Sequence, residues 1–150
     1  MSVSTASGGW GNCCPTVRSS AIKGGCEWIQ LVHAFIIEDD YLISQSLQDL
    51  LERLGYTRFS FARSEDAATL GASGHHIDLI TADVRLLPGD GLTAVEEICS
   101  RRQVPVVFIT GYADELVDRA PDAIVVQKPI KESELRAAVR LAMARSEERC

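Results

Sequence analysis

Four places in the chain combine residue types that can work on phosphorus or hold a hard cation. Glu38-Asp39-Asp40 is a run of carboxylates directly after an apolar stretch, and Asp83 ends a second such stretch. Thr110-Gly111 closes another, and Lys128-Pro129 follows one more. Carboxylates gathered in one place repel, and some take up protons unless a cation neutralises them. Oxygen-only ligands suit Mg²⁺, which keeps several waters and takes one or two carboxylates plus a phosphate oxygen. Beside such a cation Asp83 stays ionised and can attack phosphorus as a nucleophile. The metal, the Lys128 ammonium and the Thr110 hydroxyl would then share the charge on the phosphoryl oxygens.

Each residue also has a duller reading. A single Asp at a strand end usually caps a helix or makes a turn. Asp40 suits the first turn of a helix, where the helix dipole welcomes negative charge. Thr110-Gly111 reads equally as a turn, and Lys128 as a solvated charge. Asp78 and Asp90 are assigned to solvent. Four such coincidences falling in order at the ends of strands one, three, four and five are far rarer than any one of them.

Those strands follow from the apolar pattern. Leu31 to Ile37 is a short apolar run that stops at the three carboxylates. Ile43, Leu47, Leu50, Leu51 and Leu54 then recur at helical spacing, with Gly55 as the stop. Arg58 to Ala62 is a weaker strand, and Ser64 caps a short helix reaching about Ala72. Ile77 to Ala82 is the third strand. A loop with Pro88, Gly89, Asp90 and Gly91 leads into a helix through Arg101. Val104 to Thr110 is the fourth strand, Asp114 to Arg119 a short helix, Ala123 to Gln127 the fifth strand, and Ser133 to about Ser146 the last helix. Continuous apolar strands alternating with amphipathic helices imply a parallel sheet covered on both faces. The expected class is α/β: a doubly wound five-stranded parallel sheet, with its site at the carboxyl ends of the strands.

Composition narrows the function. At 150 residues, 46% of them hydrophobic, the chain fits one compact domain with a real core. A formal charge of −6 without a Lys/Arg cluster argues against direct contact with nucleic acid. The longest apolar runs, such as Val104 to Ile109, are too short to insert in a membrane. Residues 1–27 lack the basic-then-apolar order of a secretory signal, so a cytoplasmic protein is expected. Residues 1–29, rich in Ser and Gly, read as a disordered extension ahead of a domain at 30–147. Of the five cysteines, Cys13, Cys14, Cys26, Cys99 and Cys150, the spacing suits neither a disulfide framework nor zinc. Cys99 reads as a small apolar residue on a helix.

Taken together, Phe35 to Asp40, Asp78 to Asp83, Leu87-Pro88-Gly89-Asp90-Gly91, Val104 to Gly111 and Lys128-Pro129 resemble the receiver domain of two-component response regulators. The resemblance covers roughly residues 31–146 and implies the flavodoxin-like receiver fold. It implies that Asp83 is phosphorylated by a histidine kinase or a histidine phosphotransfer protein. Asp39 would bind Mg²⁺ directly, Glu38 through water, and Arg85 through its backbone carbonyl. Thr110 would swing towards the phosphoryl group, Lys128 would pair with it, and the Lys128-Pro129 bond would be cis.

One departure stands out. Receivers usually carry an aromatic residue three places before the Lys, where this chain has Val125. Phe108-Ile109-Thr110-Gly111-Tyr112 instead resembles the Phe-Ala-Thr-Gly-Tyr-type signature of a receiver subgroup found among alphaproteobacteria. Tyr112 would then shape access to the site, and the short stretch from Thr110 to Lys128 implies a short fourth helix. No output domain is expected after the last helix, so the domain would act as a single-domain regulator by contact with an unknown downstream protein, without enzymatic turnover beyond slow self-dephosphorylation. Three rivals remain. An aspartate-nucleophile phosphatase would leave Asp83 without a role, and a flavin phosphate would be repelled by Glu38-Asp39-Asp40. A receiver-like module that takes no phosphate is the third.

Overall fold

A strand covered on both faces must be apolar at successive positions, and β1 (His33–Ile37) is buried along its whole length. The structure is a computed structural model that describes residues 31–149. After β1 come α1 (Tyr41–Arg53), β2 (Arg58–Ala62), α2 (Glu65–Gly71), β3 (Leu79–Ala82) and α3 (Gly91–Arg101). The second half adds β4 (Val106–Thr110), α4 (Asp114–Arg119), β5 (Val125–Gln127) and α5 (Glu132–Glu148). All neighbouring strands are parallel, in the order β2-β1-β3-β4-β5. The doubly wound five-stranded sheet expected from the apolar pattern is present. The expected extension at 1–29, with Trp10, Trp28, Cys13, Cys14 and Cys26, lies outside the described residues.

Side chains alternate across the sheet, so each strand feeds two cores. Phe35, Ile37, Ile80, Ala82 and Phe108 join Ala68 of α2, Leu92, Ala94, Val95 and Ile98 of α3, and Leu116 of α4. Ala34, Ile36, Leu79, Val107 and Ile109 join Leu47 and Leu51 of α1 and Leu135, Ala138, Val139 and Ala142 of α5. Phe35, Ile36 and Ile37 are essentially inaccessible, and burying each such side chain contributes about 2 kcal/mol. This makes β1 a firmly anchored platform for the carboxylates that follow it.

Local chemistry sets the helix ends. Asp40 caps α1 by accepting hydrogen bonds from the Leu42 and Ile43 amides at 2.8 and 3.1 Å. At the other end Gly55 takes φ +101°. Its amide donates to Glu52 O and the Tyr56 amide to Leu51 O, the paired bonds of a left-handed helix stop. Ser64 caps α2 by accepting from the Ala67 amide.

Element bounds differ from the sequence reading where side chains or proline interrupt the ladder. β4 starts at Val106, after Pro105, which has no amide to donate. β3 starts at Leu79, because Asp78 spends its side chain on the His33 amide (2.8 Å) and on His76 Nε2 (3.0 Å). Asp78 is therefore a structural acceptor rather than the solvated residue expected. β5 begins at Val125, and α5 runs to Glu148, past the expected Ser146. Cys99 is half-buried against the α3 side of the core, and burial pushes its thiol pKa up.

Candidate phosphoacceptor site

The strand order reverses direction between β1 and β3, and a crevice opens where their carboxyl ends separate. Glu38-Asp39 leaves β1 and Asp83 leaves β3 at this point. The Asp83 amide donates to Ile37 O at 2.9 Å, and the Glu38 amide to Ala62 O at the same distance. Backbone pairing thus fixes where both carboxylates begin. Lys128 arrives from β5, with its amide donating to Thr110 O at 3.0 Å. The Lys128-Pro129 bond is cis, and so is Leu87-Pro88.

Lys128 Nζ donates to Asp83 Oδ2 at 2.7 Å and to Glu38 Oε2 at 2.9 Å. Glu38 Oε1 accepts from the Asp40 amide at 3.1 Å. Asp83 Oδ1 accepts from the Arg85 amide at a longer 3.3 Å. Carboxylate oxygens of Glu38, Asp39 and Asp83 lie within 4.8 Å of one another. A single ammonium can neutralise only one of those charges. Burial accordingly holds the Glu38 carboxyl above the usual carboxylate range, despite its bond to Lys128, and the Asp83 charge adds to the effect. Burial alone would lower the Lys128 pKa, but its bonds to Asp83 and Glu38 outweigh that and raise it. The Lys128 shift reflects the two carboxylates bonded to it, whereas the Glu38 shift is chiefly an effect of burial. A donor set of oxygens with uncompensated charge fits a hard divalent cation, Mg²⁺ above all.

Thr110 is fully buried at the end of β4. Its Oγ1 accepts from the Tyr112 amide at 3.1 Å, which leaves the hydroxyl hydrogen to be donated elsewhere. Val125 lies beside Phe108 in the β4–β5 register and is packed against the core on the α3 side. The aromatic residue nearest that place therefore belongs to β4, not β5. Tyr112 is half exposed at the rim, with its ring beneath the Arg85 guanidinium at 3.7 Å.

The β3–α3 loop returns sharply onto Asp83. A Cβ on Gly91 would fall 1.7 Å from the Asp83 carbonyl oxygen, so no other residue fits without moving the Asp83 backbone. The Gly91 amide donates to Val84 O at 2.8 Å, and Arg85 bridges to Asp90 across the loop. Asp90 is paired rather than solvated as expected. Its carboxylate accepts from Arg119 Nη2 at 2.5 Å and Thr93 Oγ1 at 2.8 Å. Its amide donates to Glu65 Oε2 at 3.0 Å. Burial pulls the Asp90 pKa up, and the bonds from Arg119 and Thr93 bring it below the ordinary value.

Sequence reasoning did not single out Glu65, Glu115 or Arg119. Glu115 accepts from Arg85 Nε at 3.1 Å and also from its Nη2. The acidic first turns of α2 and α4 look like ordinary complements to a helix dipole, and nothing local in the sequence marks a partner tens of residues away.

Comparison with known proteins agrees with this geometry. The sequence profile of the response regulator receiver domain matches residues 34–140. The chain is 36% identical over 117 residues to the transcriptional regulatory protein PdtaR of Mycobacterium tuberculosis, covering 75% of this chain and 57% of that one. It is 33% identical over 112 residues to the phyllosphere-induced regulator PhyR of Methylorubrum extorquens, covering 72% of this chain and 42% of that protein. The chain thus spans about half the length of these curated relatives. The solution structure of the PhyR receiver domain of Erythrobacter litoralis superposes with a TM-score of 0.70 at 35% identity, over 75% of this chain and 90% of that one.

Proposed function

Since the chain belongs to the response-regulator receiver family, in its PhyR-like type, we propose that Asp83 accepts a phosphoryl group from a histidine kinase or a histidine phosphotransfer protein. The observation that carries this reading is Lys128 Nζ, within hydrogen-bond distance of both Asp83 and Glu38 in a crevice that also holds Asp39. Glu38, Asp39, Asp83 and the backbone carbonyl of Arg85 would hold Mg²⁺. When bound, the ion supplies positive charge against the phosphoryl oxygens.

The remaining work falls to the chain's own groups. An Asp83 carboxylate oxygen forms the new bond to phosphorus as the phosphorus–nitrogen bond of the donor phosphohistidine breaks, and the electron pair returns to the imidazole nitrogen. Lys128, already on Asp83 Oδ2, follows the charge onto a phosphoryl oxygen. Thr110 donates its hydroxyl hydrogen to a second oxygen. Signalling then passes through protein contacts to a downstream partner, in the cytoplasm and without nucleic acid or membrane insertion. Among the described residues no helix is long and apolar enough to cross a membrane. Slow loss of the phosphoryl group to water is the only turnover this reading includes.

The test is incubation with Mg²⁺ and acetyl phosphate, read by intact mass for the wild type and Asp83→Asn. A Mg²⁺-dependent phosphoryl adduct lost in the mutant is the expected result. If no adduct forms and beryllofluoride does not bind either, the domain is a receiver-like interaction module that takes no phosphate.

A further inference from the structure

We propose that Arg85 is a two-position latch: parked on Glu115 and Tyr112 it pins α4 to the phosphoacceptor loop, and a phosphoryl group on Asp83 draws it away and frees the first turn of α4. This deepens the phosphoacceptor reading and rests on it. Two crossed ion pairs join the β3–α3 loop to α4. Arg85 of the loop reaches Glu115 of α4 through two nitrogens, and Arg119 of α4 reaches Asp90 of the loop. The Arg85 guanidinium also lies over the Tyr112 ring at 3.7 Å.

α4 has little else to hold it. Leu116 is its buried residue, Ala113 at its start makes no capping side-chain bond, and Val117 is exposed. The two pairs therefore act at opposite ends of a six-residue helix, Glu115 in its first turn and Arg119 at its last position.

A phosphoryl group on Asp83 would form beside the residue that carries this guanidinium. Arg85 sits two residues from Asp83, and its amide already donates to Asp83 Oδ1. The Arg85 and Glu115 side chains are 54% and 39% exposed, so water screens their attraction and the pair is easily exchanged. A phosphoryl group brings about −1.5 to −2 charge and three acceptor oxygens, and a guanidinium fork matches those oxygens bidentately. Asp90–Arg119 contains neither Arg85 nor Asp83, so it stays in place as the pivot.

Because Glu115 competes with the phosphoryl group for one side chain, binding is linked reciprocally. Beryllofluoride with Mg²⁺ serves as the phosphoryl mimic, and its affinity is measured for four proteins. Glu115→Gln should bind it roughly five-fold more tightly than wild type, and Arg85→Ala more weakly. In the Arg85→Ala background, Glu115→Gln should change nothing. The Arg85 Nε–H resonance should move when the mimic binds the wild type. Unchanged or weakened binding in Glu115→Gln overturns the latch, and so does equal tightening in both backgrounds, which would show only long-range charge. A wild type that fails to bind beryllofluoride strikes the phosphoacceptor reading itself, and the latch falls with it.

Discussion

Glu38 is almost fully buried beside Lys128, yet its carboxyl titrates above the 4.5 of an unhindered glutamate because desolvation outweighs the ammonium. Between 4.5 and the folded value, the folded protein holds more proton than the unfolded chain. Stability from this group is therefore fully present below 4.5 and is lost as pH rises through the folded pKa. Thermal unfolding of wild type and Glu38→Gln, followed from pH 4.5 towards neutrality, should show the wild type losing ground to the mutant as pH rises. Millimolar Mg²⁺ should remove that trend by favouring the ionised carboxylate in the fold. A pH-independent difference would mean that solvent reaches Glu38 and relieves its burial.

At the scale of elements, two glycines separate backbone conformation from close approach. Gly55 ends α1 at positive φ with open space around its missing Cβ, whereas Gly91 starts α3 against the Asp83 carbonyl. Gly55→Ala should cost about 1 kcal/mol, from the left-handed conformation alone, with phosphoryl uptake unchanged. Gly91→Ala should cost about 1–3 kcal/mol through overpacking and should also impair phosphoryl uptake, because the atom that must move belongs to the backbone of Asp83, the proposed acceptor. Urea denaturation and adduct formation on the same samples separate the two effects. Equal uptake in both mutants would show that the loop yields without carrying Asp83 with it.

Across the whole molecule, firmness is distributed unevenly. β1 and β3 lie inside the sheet with every residue buried, while α4 is short and held by Leu116 and two exposed ion pairs. Native-state hydrogen exchange should find β1 and β3 amides opening only with global unfolding, and α4 amides opening locally at far lower free energy. Equal protection in α4 and β1 would contradict this gradient. A rigid platform beneath the carboxylates and a loosely held helix beside them suit a domain whose surface responds to a change at one residue.

Much of this arrangement is legible in the sequence. Apolar runs covered on both faces announce themselves residue by residue, and a carboxylate, hydroxyl or ammonium that ends such a run must lie at one end of a parallel sheet. The placement of Glu38, Asp39, Asp83 and Lys128 in one crevice, with Thr110 at the adjoining end of β4, follows from that local pattern. Helix ends were legible for the same reason, because Asp40, Gly55 and Ser64 act within a few residues of themselves. Tertiary structure alone decided the long-range polar partners. Asp78 and Asp90, expected in solvent, are acceptors for groups on other segments. The pairing of Arg85 with Glu115 depends on how a loop and a helix thirty residues apart are brought together. Exposed charges carry no periodicity that names a partner, so their pairing is settled only when the packed core fixes the distances between them.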